Sequence, residues 1–172
     1  VLQANGCEVI VPAGQICCGA LHVHAGLREE ARALARRNLE AFLREPVDAI
    51  LTNAAGCGST LKEYGHLLLH DPKWQEKAAT FAARMKDVTE FLAAIGLTQP
   101  LHPVPRTVTY QDSCHLAHGQ KVRQQPLLLL QAVPSLRLVE MPLADLCCGS
   151  AGIYNITETQ LALQLLRNKM ET

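Results

Sequence analysis

Cys17 and Cys18 stand side by side before a glycine, and Cys147 and Cys148 repeat the arrangement 130 positions later. A Cys-Cys-Gly loop presents two sulfurs from one backbone turn. Gly19 and Gly149, having no Cβ, let the backbone come close to whatever those sulfurs hold. Cys57, between Gly56 and Gly58, and Cys114, in Gln111-Asp112-Ser113-Cys114-His115, are single loop cysteines. Thiolates are soft ligands that suit iron–sulfur clusters and zinc, so these six are the candidate ligands. Small buried cysteines filling tight turns are the plainer alternative. The recurrence of the pair with its glycine at a fixed offset argues against that. Cys7 is read as a buried structural cysteine, because Arg137 occupies the matching place in the second copy. His115 is a candidate hydrogen-bond donor to a thiolate. His22, His24 and His118 read as loop or surface residues. Lys62, Lys121 and Arg123 could draw an acidic partner, although such residues are usually solvated.

The 130-residue offset carries more than the cysteines. Val9 matches Val139, Pro12 matches Pro142, Arg37 matches Arg167 and Asn38 matches Asn168. Each copy reads as an apolar strand, a proline, Cys-Cys-Gly and a helix, so the chain is expected to be an internal repeat. Cys57 follows the Cys-Cys-Gly of the first copy, and Cys114 precedes that of the second. A complete repeat, overlaying the two, would therefore carry four cysteines, enough for a four-ligand [4Fe–4S] cluster or a tetrahedral zinc. The two that are absent would fall about 16 residues before Val1 and about 15 after Thr172, each after an apolar strand. Val1-Leu2-Gln3-Ala4-Asn5-Gly6 reads as mid-protein sequence. The 172 residues alone are expected to hold metal weakly and not to be catalytic by themselves.

The elements that must position these thiols alternate between strand and helix. Glu8–Val11 is β-branched and apolar, ends at Pro12, and predicts a strand. Leu27–Arg44 has helical periodicity with a charged opposite face and stops before Pro46. Ala49–Thr52 predicts a strand and Cys57–Leu69 a helix. Two more helices are expected over Trp74–Lys86 and Val88–Ile95, the latter stopped by Gly96. The proline-rich stretch 100–106 reads as a linker between a first copy over 1–99 and a second over 107–172. In the second copy, Val108–Tyr110 and Leu136–Met141 predict strands. Cys114–Lys121, Pro126–Ala132 and Thr157–Met170 predict helices. The expected class is α/β: two repeated lobes with short parallel sheets flanked by helices, and the cysteine loops at the strands' carboxyl ends. Helix N-termini beside those loops are expected to lower thiol pKa values.

Composition narrows the function. Sixteen basic and 16 acidic residues balance, and aromatics are 4% of the chain, so neither a phosphate-binding field nor a base-stacking surface is expected. No apolar run approaches the ~18 residues of a membrane span. No leader pattern opens the sequence, so a cytoplasmic location is expected. Seven cysteines in a reducing compartment point to metal or redox chemistry rather than disulfides. Phosphate loops, dinucleotide fingerprints, serine-nucleophile elbows and zinc-protease helices are absent.

Four segments together resemble the cysteine-rich CCG-domain family: Gln15–His22; Asn53–Gly58 with Lys62-Glu63-Tyr64-Gly65; Asp112–His118; and Cys147–Asn155. That family includes heterodisulfide reductase catalytic subunits, lactate-utilisation proteins and glycolate oxidase iron–sulfur subunits, and the likeness is strongest to the last branch. The resemblance implies an iron–sulfur subunit of an oxidoreductase complex that oxidises glycolate or another 2-hydroxy acid. A flavin subunit carrying FAD would be the partner, and the cluster-bearing subunit would pass electrons onward. It further implies a cytoplasmic site, with room for peripheral association at the inner face of the cell membrane. The sequence departs from the heterodisulfide reductase branch at Thr60, where that branch completes a Cys-x-x-Cys pair. A structural zinc in a docking module, or thiol–disulfide chemistry at the vicinal pairs, are the alternatives to electron transfer.

Overall fold

The computed structural model describes residues 1–171. Nine α-helices and four short strands are present among them: α1 (Ala20–His24), α2 (Arg28–Phe42), β1 (Ile50–Thr52), α3 (Ala55–Lys62), α4 (Tyr64–Leu67), α5 (Gln75–Arg84), β2 (Met85–Asp87), α6 (Val88–Ile95), β3 (Thr107–Thr109), α7 (Gln124–Gln131), β4 (Arg137–Val139), α8 (Tyr154–Thr157) and α9 (Thr159–Met170). A π-helical turn at His115–Gly119 lies between β3 and α7. The architecture is α/β with two separate two-stranded parallel sheets. β1 pairs with β2 in the register Ile50↔Met85, and β3 pairs with β4 in the register Thr107↔Arg137. Parallel pairing requires a long crossover. Helices α3, α4 and α5 make it in the first sheet, and the π turn with α7 makes it in the second.

The apolar stripe of α2 explains its burial. Ala31, Ala35 and Leu39 fall on one face at spacings of four and are fully buried. They meet Tyr64, Leu67, Leu68, Trp74, Ala78, Phe81 and Met85 in one cluster. Tyr64 stacks on Phe81 with ring centroids 5.4 Å apart, and Phe42 meets Phe81 edge-on at 5.7 Å. The small residues Ala31 and Ala35 let α2 approach closely, while the aromatics fill the volume behind. Asp87 caps α6 by accepting from the Thr89 amide at 2.8 Å, and the Glu90 carboxylate accepts from the Asp87 amide at 3.3 Å.

Three expectations need correction. Glu8–Val11 pairs with no strand among the described residues. Val9, Ile10 and Val11 are exposed, and no strand forms there. Met85–Asp87, read as the tail of a helix, is instead strand β2, because its backbone completes the β1 edge. The repeat register also slips by one residue in the last helix. Gly19 lies against Ala31, whereas Gly149 lies against Ala162, so the helix has moved on by one position relative to its loop. The buried polar position filled by Asn38 in α2 thus corresponds to Lys169, not Asn168, in α9. The Lys169 ammonium donates to the carbonyls of Leu143 and Ala144 at 2.8 and 2.9 Å. α9 otherwise leaves Leu161, Leu163, Leu166 and Met170 exposed.

Candidate metal centre

The fold gathers six cysteines into two trios. In the first, the loop after Gln15 brings Cys17 and Cys18 to Cys57, which sits in the first turn of α3. Cys18 has Cys57 as its hydrogen-bonding neighbour, and Cys17 is near enough to act on it electrostatically. In the second, Cys114, immediately before the π turn, has Cys147 as its hydrogen-bonding neighbour, with Cys148 near enough to act on it electrostatically. All seven cysteines are free thiols. Cys17 is exposed, Cys18 is buried, and the other four of the trios are half-buried. Cys7 lies apart from both trios. It is half-buried on the wall of a groove, short of the full burial expected of a structural cysteine.

Each Cys-Cys-Gly loop is built in the same way. Gly19 and Gly149 both adopt φ +84°, a left-handed backbone that glycine accepts without steric cost. Their amides point back at the sulfur two residues earlier: Gly19 N–H to Cys17 Sγ at 3.5 Å and Gly149 N–H to Cys147 Sγ at 3.3 Å. The first loop is clamped from behind. Asn38 accepts from the Ile16 amide at 2.9 Å and donates to the Cys17 carbonyl at 3.0 Å and to the Tyr64 hydroxyl at 3.1 Å. Tyr64 in turn donates to the Cys18 carbonyl at 2.8 Å. These two supporting residues were not singled out as functional in the sequence. Their signal was present, because Asn38 falls inside the repeat match and Tyr64 inside the Lys62-Glu63-Tyr64-Gly65 segment.

The two halves meet where α3 packs on the π turn. A Cβ on Gly58 would lie 2.5 Å from Gln120 Nε2 and 2.9 Å from Thr52 Cγ2. Gly119 abuts Ser59, and the Gln120 amide donates to the Ala55 carbonyl at 3.0 Å. The glycines beside Cys57 therefore serve the junction between the halves: Gly58 makes room for Gln120, and Gly56 faces His115 Nδ1. The His24 and His115 rings, one from each half, lie 5.6 Å apart at the same junction. His115 thus stands against a histidine and a glycine, where the sequence had suggested a thiolate.

At Cys18 and Cys114 electrostatics run against the expectation that helix N-termini would acidify the thiols. Burial pushes Cys18 up to about 12, opposed by the Ala20 amide and reinforced by neighbouring Cys57 and Cys17. Cys114 is also raised, first by burial and then by Cys147 and Cys148. Helices α1 and α3 are short, so their dipoles are small, and loss of solvent outweighs them. Two of the cations considered for an acidic partner are engaged within the chain. Lys62 pairs with Glu90 at 2.6 Å. Arg123 pairs with Asp145 at 3.4 Å and Asp112 at 3.8 Å, and bonds His118 Nδ1 at 3.0 Å.

The donor chemistry of each trio is soft and all-sulfur, with a glycine amide aimed at one sulfur and a left-handed glycine opening the loop. That set fits a thiolate-ligated metal or cluster in kind. Among the described residues no three histidine, cysteine or acidic side chains are drawn tightly enough to hold a metal ion as they stand.

A duplicated α/β unit, in which vicinal thiols and a third cysteine meet beside short parallel strands, defines a cysteine-rich protein of repeated architecture. The model of the CCG cysteine-rich domain matches residues 1–62 and again 108–172, and the chain belongs to that family. It is 44% identical, over 99% of its length, to the probable glycolate oxidase iron–sulfur subunit of Bacillus subtilis, of which it spans 39%. It is 40% identical to an iron–sulfur protein of Methanococcus maripaludis, over 88% of this chain and 28% of that protein. It is 31% identical to lactate utilization protein A of Geobacillus thermodenitrificans, over 99% of this chain and 71% of that protein. Among the described residues no helix is long and apolar enough to cross a membrane.

Proposed function

We propose that this chain is part of an iron–sulfur electron-transfer subunit in a complex that oxidises glycolate or a related 2-hydroxy acid. The observation that carries the reading is the pair of three-thiol sites, each built on a left-handed Cys-Cys-Gly loop. The names of the relatives support the iron–sulfur assignment and the 2-hydroxy-acid context. Cys17, Cys18 and Cys57 would hold one cluster and Cys114, Cys147 and Cys148 the other, each most simply [4Fe–4S]. Bound there, a cluster would accept and release single electrons. A flavin subunit carrying FAD would supply them, in the cytoplasm or at the inner face of the cell membrane.

The protein's own groups prepare the sites. The Gly19 and Gly149 amides donate to the Cys17 and Cys147 sulfurs. Asn38 and Tyr64 hold the first loop so that its two sulfurs stay on one side. The Cys18 thiol must lose its proton on ligation, so loading releases protons and strengthens as pH rises. By the repeat offset, a fourth thiol for each trio would lie about 16 residues before Val1 and about 15 after Thr172.

Anaerobic reconstitution of the full-length polypeptide, followed by iron and sulfide analysis and electron paramagnetic resonance, tests this reading. Iron and sulfide at cluster stoichiometry are expected, reduced by one cluster's share on replacing either Cys-Cys pair by serines. Stoichiometric zinc without an iron–sulfur signal would overturn it in favour of a structural zinc module. A change in thiol titre on reduction, without metal, would overturn it in favour of a disulfide couple.

A further inference from the structure

The unpaired segment Cys7–Val11 is the most unusual feature outside the thiol sites. It carries three exposed β-branched residues and runs along one wall of a groove of about 690 Å³. Val47–Leu51, including the start of β1, also lines it, together with Ala41, Phe42 and Phe91. Among the described residues β1 pairs only with β2, so its other edge is unpaired, and its Ile50 and Leu51 line this groove. A bare strand edge beside an apolar slot is a template for another strand.

The second half shows which strand belongs there. β4 corresponds through the repeat offset to Cys7–Val9, and β4 is paired in parallel with β3, Thr107 opposite Arg137. Two parallel strands and their crossover take up about 30 residues, the usual length of such a unit. The same unit in the first half calls for a strand about 30 residues before Cys7 and hence upstream of Val1. We propose that the groove is the seat of that upstream segment of the same polypeptide. The segment enters as a parallel strand between Cys7–Val11 and β1, and extends the two-stranded sheet to four strands. From edge to edge the order becomes Cys7–Val11, the upstream strand, β1, β2.

Two observations favour this occupant over a second copy or another protein. The equivalent pairing already exists in the other half. The chain spans only 39% of the glycolate oxidase subunit it matches, so the polypeptides of its relatives extend well beyond the matched region. Because neighbouring strands lie ~4.8 Å apart, the two walls need to stand only about two strand spacings from each other. The inference is independent of which metal the thiols hold.

The test uses the full-length polypeptide with a photoreactive phenylalanine analogue in place of Val11, a residue 74% exposed here and outside both thiol sites. Irradiation of dilute protein is expected to give an intramolecular cross-link. Peptide mapping should place it about 30 residues before position 11. Hydrogen exchange on the unmodified full-length protein provides a second readout. Every second amide of Cys7–Val11 should be slowed at least tenfold relative to unstructured backbone, the pattern of an edge strand bonded on one side. Cross-links to a second copy or to another polypeptide, or free exchange across Cys7–Val11, would overturn the proposal.

Discussion

The Tyr64 hydroxyl donates a 2.8 Å hydrogen bond to the carbonyl of Cys18, tying the centre of the apolar core to the backbone of the first thiol loop. Tyr64 is fully buried and also accepts from Asn38. Cutting this link leaves a buried carbonyl unpaired. Tyr64→Phe should therefore destabilise the protein by about 1–3 kcal/mol. Asn38→Ala should cost more, since it strands the Ile16 amide and the Cys17 carbonyl together. Urea unfolding of the two variants checks both the size and the order.

Cys18 and Cys17 are adjacent yet should react very differently. Cys17 is exposed and Cys18 is buried, with its thiol pushed up to about 12. Alkylation of the metal-free protein, followed by mass spectrometry, should label Cys17 first and Cys18 last. The Cys18 rate should keep rising from pH 9 toward 12, because the thiolate fraction still increases there. The linkage sign is set by a folded-state pKa above the ordinary value of 9.0. The resulting stability is fully present below pH 9 and is lost as pH rises toward 12, since only the unfolded thiol ionises readily in that window. The loss should be on the order of a few kcal/mol, and smaller in Cys18→Ala.

Gly58 and Gln120 occupy the junction between the halves so tightly that a methyl group does not fit. Gly58→Ala should cost about 1–3 kcal/mol from overpacking, reduced by up to ~1 kcal/mol of gained helix propensity. Gln120→Ala in the same chain should recover part of the loss. A double-mutant cycle in urea gives the coupling directly.

The two Cys-Cys-Gly glycines look equivalent and should not behave so. Both are left-handed, and alanine there costs about 1 kcal/mol from backbone strain alone. At Gly19 a Cβ would meet Ala31 Cα at 3.4 Å, an ordinary contact, whereas at Gly149 it would collide with the Ala162 backbone, 3.1 Å from its Cα. Gly149→Ala should therefore lower the midpoint of thermal unfolding far more than Gly19→Ala, as circular dichroism can record.

Local sequence alone determined much of this molecule. The Cys-Cys-Gly recurrence marked the two vicinal pairs and, with the single cysteines Cys57 and Cys114, set the expectation of two groups of three. The stripe of α2 and the β-branched runs of β1, β3 and β4 are local signals, and each element lies within a few residues of its expected bounds. Tertiary structure decided the rest. Met85–Asp87 became a strand only because β1 offered it an edge. Glu8–Val11, with the stronger strand pattern, stayed unpaired, because pairing needs a neighbour and not merely propensity. Gly58, beside Cys57, clears Gln120, a side chain from the other half of the molecule that no local pattern points to. The one-residue slip that places Lys169 where Asn38 stands was invisible, because equal spacing in sequence does not fix which helix face meets a loop. The pKa values of Cys18 and Cys114 rose rather than fell, since burial depends on everything packed around a sulfur and no motif records it.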